Sequence, residues 1–198
     1  MSKAIHNLIE RLQHRVKQVP DVKPAVASAV IIKLEKQYRC KLPDLVRRIY
    51  TEVADGGFGP GYGLFPITSK NDSEQESIAA IYQEVLDIAK CHPLWNWPRK
   101  LIPMADMGCG MYYCVDCYFD KLPVILFDQS NLDSEVDDDE AALRWSNAFW
   151  FESPSLVKWL NDWLDDVHWK DPVWPSKSWL SIRLWPGQPK YVRKFFEA

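Results

Sequence analysis

The chain reads as an α+β domain, a mainly antiparallel sheet flanked by helices. Three observations predict this. Apolar residues recur at helical spacing in several segments between residues 3 and 89. From residue 101 the period shortens into apolar runs parted by tight breaks, as in consecutive hairpins. A last amphipathic stretch then fills 153–167, before a Trp- and Pro-rich tail.

Taking the elements in order, Ile5, Leu8, Ile9, Leu12 and Val16 form a helical stripe over 3–18, with Arg11 and Arg15 on another face. "PDVKP" (20–24) ends it, and Pro24 suits the first turn of a second helix with Val26, Val30, Ile31 and Leu34 inward. "PDLVRRIYTEVA" opens a third helix near Pro43. Ser73 and Glu76 have capping-box spacing ahead of the stripe Ile78, Ile81, Tyr82, Val85, Leu86 and Ala89. "LIPMAD", "GMYYCVD" and "LPVILFDQ" then read as strands, and "LDSEVDDDE" (132–140) as an acidic loop. In 153–167, Ser153 is the expected cap, with Leu156, Val157, Leu160, Trp163, Leu164 and Val167 as the stripe. We divide the chain into an N-terminal helix extension (1–20), a central domain (25–167) and a C-terminal arm (168–198).

Charge is unevenly spread. Residues 1–48 hold eleven Lys/Arg against four Asp/Glu, whereas the remainder holds thirteen against twenty-three. An acidic bulk disfavours a nucleic-acid partner and suits a protein with a basic face. No run of eighteen apolar residues exists, so no membrane span is expected, and five cysteines fit reduced thiols in a cytoplasm.

Five glycines between Gly56 and Gly63 invite a phosphate-loop reading. Such a loop needs a strand before it and a helix after it, so that amides at a helix N-terminus meet the anion. Here a helix precedes and a strand follows, and no Gly-Lys-Ser/Thr occurs. Asp55, Gly56 and Gly57 are therefore expected to form a structural turn at a helix C-terminus.

Glu35, then "CKLPDLVRRIY", then "ADGGFG" resembles the N-terminal signature of the SUKH superfamily, which groups fungal cell-wall-synthesis regulators with bacterial toxin-immunity proteins. "DMGCGMYYCVD", "PVILFDQ" and "SPSLVKWLNDWL" are similar to its later landmarks in order and spacing, so the resemblance covers roughly 25–167. Asp55 stands where the family usually has Asn, and Gly108-Cys109-Gly110 lacks the usual Asp. The resemblance implies an immunity-type protein that neutralises a cognate toxin, often a nuclease. It equally implies, as a second reading, a regulatory scaffold in cell-wall synthesis.

The residues offer three constellations. Asp133, Glu135, Asp137, Asp138, Asp139 and Glu140 put six carboxylates in eight positions. They read as a solvated loop, as an electrostatic lure for a basic protein, or as a calcium loop lacking the Asp-x-Asp-x-Asp-Gly alternation. Trp95 and Trp97 in "HPLWNWP" either plug the sheet's end or anchor an interface. Cys109, Cys114 and Cys117 suggest zinc or simply buried thiols; a zinc-binding protein or hydrolase is the remaining alternative. No nucleophile elbow or H-E-x-x-H occurs. We therefore expect a non-enzymatic binding domain with no catalytic residue, metal or cofactor. The acidic run and the two tryptophans are its expected contact residues.

Overall fold

The computed structural model describes residues 3–38, 40–67, 77–98 and 100–167. The expected C-terminal arm and the Ser73–Glu76 pair lie outside them. In chain order come α1 (Lys3–Val16), α2 (Ser28–Tyr38), α3 (Asp44–Arg48) continuing as a π-helical turn (Ile49–Val53), and β1 (Gly63–Leu64). Then follow α4 (Ile78–Lys90), β2 (Leu101–Gly108), β3 (Met111–Asp116), β4 (Val124–Asp128), α5 (Asp138–Asn147), β5 (Phe149–Ser153) and α6 (Leu156–Leu164). The five strands form one sheet in the order β1-β2-β3-β4-β5, every neighbouring pair antiparallel. The α+β expectation holds.

Two consecutive tyrosines define the layers. Successive strand residues point to opposite faces. Tyr112 donates its hydroxyl to Glu84 of α4 at 2.9 Å, while the Tyr113 ring packs 5.1 Å from Trp159 of α6. Helices α4 and α6 therefore cover opposite faces of the sheet. With α6 goes α1, whose Leu8, Ile9 and Leu12 are the buried part of the expected stripe. These three belong to the same buried cluster as Tyr113 and Trp159, so α1 shares the core of the domain.

Glu35 explains why α2 and α3 meet as they do. Its carboxylate accepts the Leu42 N–H at 2.7 Å and Arg47 Nε–H at 2.9 Å, joining the end of one helix to the start of the next. The turn after the π-helical stretch follows from Asp55, Gly56 and Gly57. Both glycines have positive φ, 74° and 76°, and a Cβ on Gly56 would stand 2.6 Å from the Leu64 carbonyl oxygen. Asp55 accepts the Ile67 N–H at 2.7 Å, tying the helix end to the chain beyond β1.

Several boundaries depart from the sequence expectation. Helix α2 begins at Ser28 rather than Pro24, because Val26 N–H bonds the Tyr50 carbonyl and keeps that stretch off the helix. Ser77 caps α4, accepting Ala80 N–H at 3.2 Å. Ser155, not Ser153, caps α6, accepting Lys158 N–H at 3.1 Å; Ser153 is the last residue of β5. The expected acidic loop is a loop only to Val136, since Asp137 caps α5 and Asp138–Glu140 make its first turn.

Candidate functional site

The acidic run forms a shoulder between β4 and α5. Asp133 accepts the Glu135 N–H and Asp137 accepts the Glu140 N–H, each at 2.9 Å. Asp138, Asp139 and Glu140 form the first turn of α5, the end of a helix at which negative charge is favourably placed. Arg144, one turn on, bonds Glu140 at 2.6 Å and the Asn131 carbonyl at 3.0 Å, which holds the loop against the helix. Asp133 is half-buried and the other five carboxylate residues are exposed. From residue 122 to 157 eight carboxylates stand against Arg144 alone.

An aromatic plate supports this shoulder. Trp95 stacks on Trp145 of α5 at 5.4 Å and 13°, and its indole N–H donates to the Ala141 carbonyl at 2.9 Å. Trp97 packs edge-on to Phe127 at 4.9 Å and donates its N–H to the Leu101 carbonyl. The two tryptophans expected as contact residues are only 6% and 3% exposed. That corrects the expectation: both indoles are used to seat α5 on the sheet, and neither reaches a surface where a partner could touch it. His92, itself buried, accepts the Leu94 N–H at Nδ1, leaving Nε2 3.7 Å from Asp138 Oδ1.

The thiols are spread out. Cys114 is buried in β3 opposite Pro103 and Ile125, Cys109 is exposed in the β2–β3 turn, and Cys117 is half-buried after β3. Burial pushes the Cys114 thiol well above its ordinary pKa. It also raises Cys117, with Cys40 and Asp116 adding to the shift. Raised thiols are poor ligands and nucleophiles. Among the described residues no three His, Cys, Asp or Glu gather as an ion site.

At the other side of the domain, α1 is fastened to the end of α6. Arg11 bonds Asn161 and Asp165, while Arg15 pairs with Asp166 at 3.4 Å and lies 5.5 Å over the Trp163 ring. An open cleft of about 280 Å³ lies there, lined by Arg11, His14, Arg15, Gln18 and Leu164. Arg11 and Arg15 are already engaged by Asp165 and Asp166, the carboxylates that follow α6.

A family model described as SMI1 / KNR4 family (SUKH-1) matches residues 25–162. The chain belongs to that family. The SUKH match spans the Glu35 bridge, the Asp55–Gly57 turn and the whole acidic shoulder, and it leaves out α1 and the two aspartates that hold it. A solved structure described as a protein from Pseudomonas syringae pv. tomato is 20% identical with a TM-score of 0.49, covering 81% of this chain and 98% of that one. No curated protein matches the chain significantly. Among the described residues no helix is long and apolar enough to cross a membrane.

Sequence reasoning missed α5 and Arg144's part in the shoulder. The signal was present in the Glu140–Arg144 spacing, which is that of a helical ion pair.

Proposed function

We propose that this SUKH domain is a non-enzymatic binding protein of the immunity type, which neutralises a cognate toxin by covering a basic surface of it. The observation that carries the reading is the acidic shoulder: exposed carboxylates of one sign, seated on a buried aromatic plate. Like charges on a rigid base focus a field that speeds encounter with a cationic partner and rejects acidic ones. Asp137 serves the fold as a cap, so Glu135, Asp138 and Asp139 are the residues most available for contact.

The test is to recover tagged protein from its native cells at moderate salt. A stoichiometric partner with a positive net charge is expected, and Glu135→Gln/Asp138→Asn/Asp139→Asn should lose it. A partner that is toxic alone and harmless when co-expressed marks immunity. A partner whose loss weakens the cell wall marks the regulatory scaffold instead. Recovery without any partner, or turnover of a small substrate, contradicts the proposal.

A further inference from the structure

The five-glycine corner contains more geometry than a helix stop requires. Gly56 and Gly57 already turn the chain, yet Gly59, Gly61 and Gly63 also hold positive φ, at 110°, 67° and 102°. Their joint effect is the placement of Tyr62. A Cβ on Gly61 would stand 2.2 Å from the Asp106 carbonyl oxygen, so glycine is what lets the loop press onto β2. The Tyr62 N–H donates to that same carbonyl at 2.8 Å. Its ring lies over Gly108, where a Cβ would come within 2.6 Å of the ring edge. The outcome is an aromatic side chain 72% exposed whose backbone and one ring edge are held.

Fixed, exposed tyrosine is the chemistry of an interface anchor. The ring offers a large contact area and has only two torsions to freeze, and tyrosine is enriched among residues that dominate binding energy. The surroundings give the partner's sign. Segments 58–67, 101–111 and 122–143 contain no Lys or Arg. Gly108 pairs with Met111 and Met111 with Asp128, so Asp128 lies two strand spacings, about 10 Å, from the Tyr62 support. Gln129 covers Gly110, and the chain runs on from there to Asp133 and Glu135. One continuous rim thus joins the tyrosine to the acidic shoulder.

We propose that Tyr62 is the aromatic anchor of a protein-docking rim formed with Cys109, Asp128 and Gln129, and that its occupant is a Lys/Arg-rich segment of a partner protein. This rests on the acidic-shoulder reading and adds the residue on which contact energy concentrates. A guanidinium or ammonium stacks on the outer Tyr62 face while neighbouring cations meet Asp128 and the shoulder.

The probe is a short random peptide displayed on phage, selected on the full-length protein and then synthesised with a fluorophore. Selected sequences should be rich in Lys and Arg. Tyr62→Ala should weaken the peptide by about tenfold or more, the effect of losing an anchor. Tyr62→Phe, which keeps the ring, should bind close to wild type, and both variants should melt with the wild type because the side chain is exposed. Equal binding to Tyr62→Ala overturns the inference, as do selected sequences that are acidic or uncharged. Loss of binding on Glu135→Gln/Asp138→Asn/Asp139→Asn but not on Tyr62→Ala leaves the shoulder standing and removes the anchor. The converse keeps the anchor and removes the shoulder. A wild-type dimer that Tyr62→Ala dissociates makes the occupant a second copy, and the proposal fails.

Discussion

On the α4/α5 face the core is aromatic: Trp97, Trp145, Phe127 and Phe149 touch one another and Trp95 stacks on Trp145, at ring distances between 4.9 and 6.5 Å. On the α1/α6 face an aliphatic stripe from α1 meets Trp159 and Trp163, and the seam is closed by Arg11–Asp165 and Arg15–Asp166 at its rim. The first face lies within the SUKH match and carries the acidic shoulder; the second is finished by residues outside it. The difference separates two tasks. Large interlocked rings make a rigid base under the charges of α5. Exposed ion pairs only trim a contact whose strength is apolar.

Removing a plate ring is the sharpest way to break this comparison. Trp145 is 1% exposed, and Trp145→Ala should lower unfolding stability by about 3–5 kcal/mol in denaturant titration. A loss no larger than that of a surface substitution would mean the plate is not the base of the shoulder. On the other face, Leu12→Ala should cost about 2–5 kcal/mol, since Leu12 is fully buried.

Next in size is the cap. Asp137→Ala should cost about 1 kcal/mol, while Asp137→Asn, which can still accept the Glu140 N–H, should be nearly neutral. Smaller still is the seam rim. Arg11→Gln and Asp165→Asn should each cost less than about 1 kcal/mol, and the difference should shrink as salt is added. A large, salt-insensitive loss would place the seam's strength in its charges and reverse the contrast between the faces.

The smallest effect concerns pH. Arg48, buried, bonds Glu52 at 2.7 Å, and this holds the Glu52 carboxyl below its ordinary range. A depressed carboxylate contributes stability above its unfolded pKa and loses it as pH falls through the folded value. Glu52 is partly exposed, so Glu52→Gln should cost only about 0.5 kcal/mol at pH 7. In urea titrations that difference should fade as pH falls below the ordinary glutamate range and through the lowered folded value.

Period carried most of the fold from residues to structure. The α1 stripe, the β2–β3–β4 hairpins and the Gly56–Gly57 turn depend on neighbours close in sequence, so local patterning reveals them. Trp95 and Trp97 were harder, because "HPLWNWP" looks like an exposed loop until Trp145 and Phe127 come to cover it from distant positions. Helix α5 hid behind its own charge: "DDDE" reads as a solvated run, although Asp137 as cap and acids in a first turn are ordinary helix-start chemistry. Strand β5 (Phe149–Ser153) falls between the acidic run and the 153–167 stripe, in a stretch to which the sequence pattern assigns no element. Tyr62 was not legible at all. The placement of its ring depends on Gly108, which lies far along the chain and is brought near by the β1–β2 pairing.

The central claim is that a basic partner is recognised through the field of the shoulder. Association rate against salt concentration, for wild type and for Glu135→Gln/Asp138→Asn/Asp139→Asn, tests it most directly. The account predicts a wild-type rate that falls steeply as salt rises, and a slower, flatter line for the variant. Two superimposed lines would contradict it.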